Sequence, residues 1–227
     1  MSPLALDAHT YDRDQPVVCI SETLLIPGPV GPLEALLALP EAESGEYIAI
    51  LCHPHPLYGG TMHNKVVHLL ARTLNELNIP TVRFNFRGVG GSVGAYGNGS
   101  GETDDLLAVI DYVQVHFPGR HLLLTGFSFG AYVALNAATK RHVHRLITVA
   151  PPVNLFDFKQ LTLPHCPWLV IQGEQDEIVP RADVAAWLAS LPTPPRAEFL
   201  SDTGHFFHGK LGALRAMLVA ALAPPSA

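Results

Sequence analysis

Charged residues are scarce in this sequence, and those that occur form no basic cluster. Only 15% of the 227 residues are charged, and the formal net charge is −6 at pH 7. Nucleic acids and anionic membrane surfaces are bound by basic faces, so neither is expected as a partner. Because 48% of the residues are hydrophobic, the chain is expected to fold around a large core.

Cysteines and long apolar runs are also few. The three cysteines, Cys19, Cys52 and Cys166, are widely spaced and form no CxxC pair, a usage that is typical of a reducing compartment. No stretch of about 18 apolar residues is present, so we expect no membrane span. The first residues lack the basic and apolar regions of a signal peptide, and we therefore predict a cytoplasmic protein. The composition leaves the oligomeric state open.

Apolar segments of strand length alternate with segments of helical periodicity along most of the chain. Strands separated by helices pair in parallel through right-handed crossovers, whereas the first two strands, joined by a hairpin-like segment rich in proline and glycine, form an antiparallel edge. Strands are predicted at residues 17–26, 33–39, 47–52, 81–86, 121–127, 146–150, 169–172 and 198–200, and helices at 65–78, 102–117, 129–140, 182–190 and 211–222.

The expected fold class is therefore α/β, a doubly wound and mostly parallel sheet with helices on both faces. A single domain is expected over residues 1–227, with residues 1–13 as a candidate disordered tail. In sheets of this kind, binding sites form in the loops beyond the carboxyl ends of the strands. Residues that carry chemistry should accordingly follow directly after strands.

A Gly-x-Ser-x-Gly sequence, Gly126-Phe-Ser128-Phe-Gly130, stands between a predicted strand and a predicted helix. A tight turn there forces the serine into a strained backbone conformation that exposes its hydroxyl, and the flanking glycines avoid clashes. The N-terminus of the following helix stabilises negative charge nearby. Ser128 is therefore the candidate nucleophile, and the alternative is a glycine-rich turn with an incidental serine.

A serine hydroxyl needs a base to remove its proton, and in this context the acid and the histidine follow the serine along the chain. Asp176 comes just after the predicted strand 169–172, on a loop bracketed by a glycine and a proline, and is the first candidate for the acid. Glu174, Glu177 and Asp202 remain alternatives, and a solvated acidic loop is the non-catalytic interpretation.

His205 follows the last predicted strand and precedes the terminal helix, with a glycine before it that gives the backbone room. It is expected to act as general base, oriented by Asp176, with His208 as the alternative. Three aromatic side chains, those of Tyr58, Phe127 and Phe206, are predicted to contact the substrate. Three residues of the required types in the required order indicate a catalytic triad more strongly than any one of them alone.

A serine nucleophile also requires an oxyanion hole, two N–H groups that stabilise the charge developing on the carbonyl oxygen. The Phe129 N–H, directly after the serine, is the first candidate. The second donor is expected from the loop after strand 47–52, where Pro54 and Pro56 carry no N–H. Leu57 is the preferred residue, and Tyr58 is the alternative.

Twelve histidines are present, and His53, His55, His63 and His68 are close in sequence. On a helix, the last two would lie about 140° apart around the axis, so they would not share a face. No His-Glu-x-x-His motif occurs, and no metal is expected. The glycine-rich loop 88–94 lacks the third glycine of a dinucleotide-binding fingerprint and no P-loop motif occurs, so no cofactor is expected.

Taken together, these motifs resemble the α/β-hydrolase superfamily, and within it the small, lidless bacterial proteins related to dienelactone hydrolases and simple carboxylesterases. The resemblance implies an eight-stranded sheet and hydrolysis through an acyl-enzyme. Dienelactone hydrolases use a cysteine where this chain has Ser128, which argues against that particular activity. The segment 151–167 is too short for a large cap domain. The resemblance rests on His53-Pro-His-Pro-Leu-Tyr-Gly-Gly-Thr-Met62, Arg83-Phe-Asn-Phe-Arg-Gly-Val-Gly-Gly-Ser92, Gly126-Phe-Ser-Phe-Gly130, Asp176 and Gly204-His205, within residues 47–208.

The sequence thus predicts a serine hydrolase that cleaves small carboxylic esters. A thioesterase, a lactone hydrolase and an acyl-peptide hydrolase would use the same three residues, so these remain alternatives. A non-catalytic binding protein on the same fold is the alternative from another class, because fold alone does not establish function. The expected partner is a small-molecule ester or thioester substrate.

Overall fold

The computed structural model describes residues 18–42, 45–158 and 161–222. The tail expected at residues 1–13 lies outside these ranges, as does the first residue of the predicted strand 17–26. Within the described residues, no helix is long and apolar enough to cross a membrane.

Eight strands form one sheet, in the spatial order β1-β2-β4-β3-β5-β6-β7-β8. β1 pairs antiparallel with β2 and β2 antiparallel with β4, whereas all pairs from β4 to β8 are parallel. This arrangement confirms the predicted mostly parallel sheet with its antiparallel edge. The strands are β1 (Cys19–Gly28), β2 (Gly31–Pro40), β3 (Tyr47–Cys52), β4 (Thr81–Phe84), β5 (His121–Phe127), β6 (Arg145–Val149), β7 (Trp168–Gly173) and β8 (Arg196–Leu200).

In the part of the chain that the structure describes, five α-helices cover both faces of the sheet and bury two apolar layers against it. Buried side chains of α1 and α5 pack on one face, and those of α2, α3 and α4 pack on the other. The right-handed crossovers required by parallel strands put the helices there. The helices are α1 (Lys65–Glu76), α2 (Ser100–His116), α3 (Phe129–Ala138), α4 (Arg181–Ser190) and α5 (Leu211–Leu222).

The structure shifts several predicted boundaries by a few residues. The fourth strand ends at Phe84 rather than at residue 86, because only one further N–H, that of Asn85, reaches the antiparallel neighbour β2 and the next, that of Phe86, is taken by a histidine ring. The Asn85 N–H donates to the Glu34 carbonyl at 2.8 Å, and the Phe86 N–H donates to the His53 ring at 3.0 Å. A 3₁₀ turn at Pro56–Tyr58, which the sequence reasoning treated as loop, follows β3.

The loop after β4 is attached to α2 by a buried ion pair. The Arg87 guanidinium donates to both carboxylate oxygens of Asp105, with its shortest contact at 2.7 Å, and the Arg87 N–H donates to the same carboxylate at 3.0 Å. The Asp105 side chain is fully buried, so its charge is balanced by the arginine and not by water. This pair fixes one wall of the region beyond the strand ends.

Removing the Asp105 carboxylate should therefore leave Arg87 as an unpaired and largely buried charge. We expect Asp105→Ala to lower the free energy of unfolding by about 3–5 kcal/mol in urea denaturation. The exposed pair between Arg141 and Asp111 provides a matched control, and Asp111→Ala should cost less than about 1 kcal/mol. Equal losses in the two variants would contradict this account.

Candidate active site

Ser128 occupies a strained turn between β5 and α3. Its backbone angles are φ 54° and ψ −121°, a region that L-residues rarely adopt. The Ser128 N–H donates to the Val149 carbonyl of β6 at 2.8 Å, which ties the turn to the neighbouring strand. A Cβ at Gly126 would collide with the Gly130 carbonyl, and one at Gly130 would collide with the Cys52 carbonyl. Both glycines are therefore required for the turn to close.

His205 lies on the loop after β8, and its backbone is held by a hydrogen bond to the neighbouring loop. The His205 N–H donates to a carboxylate oxygen of Glu177 at 3.1 Å. The imidazole is almost completely buried, and the Phe127 ring lies 5.2 Å from it, centroid to centroid. These contacts give the ring one orientation.

The three predicted residues converge in space. His205 Nδ1 is 2.8 Å from Asp176 Oδ2, and His205 Nε2 is 3.0 Å from Ser128 Oγ. A carboxylate only accepts hydrogen bonds, so Nδ1 carries the proton and Nε2 is left to accept from the serine hydroxyl. This is the tautomer that a general base acting on Ser128 requires.

Asp176 has all of its acceptor positions filled although its side chain is fully buried. Oδ1 accepts from the N–H groups of Ile178 at 2.9 Å and Val179 at 2.6 Å. Oδ2 accepts from His205 and from the Gln172 side-chain amide, the latter at 2.9 Å. These four donors satisfy the buried carboxylate and fix its plane.

The alternative acids and base have other contacts. Glu174 pairs with Arg181 at 3.4 Å on the surface, and Asp202 accepts from the exposed Gln175 side chain at 3.2 Å. Glu177 holds the His205 backbone rather than its ring. His208 is exposed, with its ring 5.9 Å from that of Phe206. Among the residues described, the imidazole of His205 therefore meets only one of the candidate carboxylates, that of Asp176.

Two N–H groups, one directly after Ser128 and one in the loop after β3, have no acceptor among the described residues. Phe129 is the first residue of α3, and its N–H donates to no other described residue; the same holds for the His55 N–H. The His55 ring packs 5.0 Å from the Phe129 ring, so the loop after β3 runs beside the start of α3. By contrast, the Leu57 N–H donates to His55 Nδ1 at 3.2 Å and the Tyr58 N–H to the His55 carbonyl at 3.1 Å.

Leu57, with Tyr58 as its alternative, is the predicted second oxyanion donor, but both of these N–H groups are already used within the loop. The physical reason is the tight turn after β3, in which both the ring and the carbonyl of His55 accept N–H groups from the residues that follow. The sequence analysis excluded the two prolines of this loop and did not consider the histidine between them.

His53 connects the ends of β3 and β4. Its Nδ1 donates to the Pro54 carbonyl at 2.6 Å, and its Nε2 accepts from the Phe86 N–H at 3.0 Å. Burial lowers the pKa of the imidazole to about 4, so the ring is neutral at pH 7. Because both ring nitrogens are used in hydrogen bonds to the backbone, His53 supports the loop.

The three aromatic residues predicted to contact the substrate differ in exposure. Tyr58 is 87% exposed and packs its ring 4.8 Å from that of His55, and Phe206 is 42% exposed, 5.1 Å from the His205 ring. Phe127 is fully buried among the side chains that α1 and α5 cover. Phe127 therefore supports the histidine from beneath, and its predicted contact with substrate is corrected. Strand alternation, which puts it on the face of Leu123, was the missed signal.

The geometry and the fold together define a serine hydrolase of the α/β type, and comparison with known proteins agrees. A family model for the serine aminopeptidases, S33, matches residues 49–161. An α/β serine hydrolase homologue from Coxiella burnetii is 49% identical with a TM-score of 0.86, covering 89% of this chain and 97% of the other. The chain belongs to the α/β serine hydrolase family.

Two further relatives match over most of their length. A lidless α/β serine hydrolase from Xanthomonas campestris is 47% identical, with a TM-score of 0.85, over 91% of this chain and 97% of that one. An uncharacterized protein from Rickettsia prowazekii is 39% identical over 162 residues, 69% of this chain and 68% of the relative. The family resemblance inferred from the motifs is thus confirmed, and between β6 and β7 the described residues contain no helix or strand.

The depressed pKa of His53 predicts a loss of stability in acid. The unfolded chain binds a proton at this residue near pH 6.5, whereas the folded state resists protonation until about pH 4. Unfolding therefore becomes more favourable as the pH falls through this window, by about 3 kcal/mol in total. We expect His53→Asn to have a lower free energy of unfolding than the wild type at pH 7. As the pH falls, the free energy of unfolding of the variant should decrease less than that of the wild type, as measured by urea denaturation at each pH. Parallel curves for the two proteins would refute this assignment.

Proposed function

We propose that this protein hydrolyses small carboxylic esters through an acyl-enzyme, with Ser128 as nucleophile, His205 as general base and Asp176 as the residue that orients the histidine. The observation that carries the proposal is the unbroken chain of hydrogen bonds from the Ser128 hydroxyl through His205 to the Asp176 carboxylate. This set of groups can cleave a carboxylic ester without a metal or cofactor.

In the first half of the reaction, Ser128 Oγ attacks the ester carbonyl carbon while His205 Nε2 takes the hydroxyl proton. Asp176 stabilises the resulting imidazolium, to which it is already hydrogen bonded. The tetrahedral intermediate collapses when His205 returns the proton to the leaving alcohol, and the acyl group stays on Ser128. Water then enters, His205 removes its proton, and the same sequence releases the carboxylic acid and the free serine.

The negative charge of each tetrahedral intermediate is assigned to the N–H groups of Phe129 and His55. Both are backbone donors, so they are oriented before the substrate arrives and lose nothing by reorganisation. The N-terminus of α3, where Phe129 begins the helix, adds a favourable dipole. The neutral His55 ring, whose pKa is lowered by burial, fixes this loop by accepting the Leu57 N–H.

The surroundings of the serine favour uncharged substrates with apolar groups. Each of the loops after β3, β6, β7 and β8 exposes a large apolar side chain at the same edge of the sheet: Tyr58, Leu155, Ile178 and Phe206. Since His205 must protonate the leaving alcohol, the neighbouring Phe206 is assigned to the alcohol side. Tyr58, packed against His55, is assigned to the side of the oxyanion hole.

Replacing any of the three residues should abolish turnover of a short-chain p-nitrophenyl ester. We expect Ser128→Ala and His205→Ala to reduce kcat by at least about 10³-fold, and Asp176→Asn by a comparable factor because it disturbs the tautomer of the histidine. A fluorophosphonate probe should label the wild type and not Ser128→Ala. Folded wild-type protein that takes up no probe would instead favour a non-catalytic binding protein.

The oxyanion assignment is tested by removing one N–H while keeping the backbone shape. His55 has φ −55° and ψ 123°, values that proline adopts without strain. Against His55→Ala, which removes the ring and keeps the donor, His55→Pro should lower kcat by a further factor of about 10²–10³. Equal kcat in His55→Pro and His55→Ala would exclude the His55 N–H as a donor and would restore Leu57 as the candidate.

A further inference from the structure

We propose that Gln172 is a positioning residue for the acid of the triad, one that holds the Asp176 carboxylate in place and aimed at His205. This inference rests on the proposed function, because it gives Gln172 a role only if Asp176 assists Ser128 through the histidine. No feature of the motifs points to this residue, which precedes a glycine at the end of an apolar strand.

The Gln172 amide makes two hydrogen bonds, and both fix its orientation. Its Nε2 lies 2.9 Å from Asp176 Oδ2 and 2.9 Å from the Val179 carbonyl oxygen. Neither of these oxygens carries a proton, so only the amide nitrogen, with its two hydrogens, can face them. The amide oxygen is consequently turned away from Asp176.

The side chain is fully buried, and its amide oxygen has no hydrogen-bond partner among the described residues. An unsatisfied buried carbonyl is unfavourable for folding, and an apolar side chain of similar size would avoid it. A buried amide at this position is therefore explained by what its nitrogen does for Asp176 and not by packing.

Among the described residues, Gln172 supplies the one donor to Asp176 that comes from a strand. The donors to Oδ1 are the N–H groups of Ile178 and Val179, which belong to the same loop as Asp176 and would move with it. Gln172, by contrast, stands in β7, which pairs with β6 on one side and β8 on the other. Its hydrogen bonds attach both the carboxylate and the far end of the loop, at Val179, to the rigid sheet.

Gln172 affects catalysis by fixing the position of one carboxylate oxygen, Asp176 Oδ2. Asp176 Oδ2 accepts hydrogen bonds from both Gln172 and His205. The Gln172 N–H therefore helps to hold this oxygen where it can accept the hydrogen bond from His205 Nδ1. A hydrogen bond to a carboxylate is among the strong ones, and this one is buried. Gln172 touches neither Ser128 nor the reacting atoms in this scheme.

The test compares two substitutions of nearly equal size. Gln172→Met removes both N–H donors, and we expect kcat to fall about 10- to 100-fold with KM changed less than about 3-fold. Gln172→Glu puts a second carboxyl beside Asp176. When protonated, that carboxyl donates to Asp176 Oδ2, and when ionised it repels it.

The ratio of kcat in Gln172→Glu to kcat in Gln172→Met should therefore rise at least about 5-fold between pH 9 and about pH 6. The same comparison is made between Gln172→Glu and the wild type, so the result does not depend on the folding of the methionine variant. A purely structural role would lower both variants by factors that do not change with pH. A flat ratio would overturn the proposal, as would a folded Gln172→Met variant with wild-type kcat.

Two controls separate the possible failures. Gln175→Met makes the same chemical change at an exposed glutamine of the neighbouring loop and should keep kcat within about 2-fold. In an Asp176→Asn background, Gln172→Met should lower kcat by less than about 3-fold, because no carboxylate remains to be held. If the loss of kcat in this background were as large as in the wild-type background, the proposal would also be overturned. If wild type and Ser128→Ala hydrolyse the ester equally, the proposed function fails. If only the Gln172 variants match the wild type, this inference fails alone.

Discussion

The backbone turn at Ser128 is the constraint on which the rest of the site depends. A positive φ at a residue with a side chain is unfavourable, and the fold maintains it by restraining the turn from two sides. The Val149 carbonyl of β6 takes the Ser128 N–H, and the close contact between Gly130 and the end of β3 brings α3 against the sheet. The serine hydroxyl is thereby directed towards the loops after β7 and β8, and the Phe129 N–H is directed away from the helix.

The loops after β7 and β8 surround a carboxylate that is fully buried, that of Asp176. It accepts hydrogen bonds from four N–H donors, one of them from His205 and another from Gln172. Glu177, a close neighbour with the same charge, contributes by holding the His205 backbone. Two acids on one loop thus have separate tasks, one acting on the imidazole and the other on the main chain that carries it.

The third part of the site, the loop after β3, depends on two neutral histidines. Burial lowers the pKa of His53 and of His55, so both rings can accept a hydrogen bond from a backbone N–H at neutral pH. A protonated ring would have no acceptor nitrogen and would release the loop. The position of the second candidate oxyanion donor is in this way linked to the protonation state of side chains that take no part in bond breaking.

The sequence by itself determined the features that are local or periodic. Alternating apolar segments predicted the parallel sheet, and the Gly-x-Ser-x-Gly turn, Asp176 and His205 were found because each follows a strand whose end had to lie at the same edge. Tertiary structure alone decided the rest. Whether Leu57 or His55 offers a free N–H depends on a side chain that folds back onto its own loop, and the separate tasks of Asp176 and Glu177 depend on which carboxylate meets the ring. The contact of Gln172 depends on which atoms a buried amide meets across a turn. Such contacts are set by orientation and burial in three dimensions, and residue order carries no record of either.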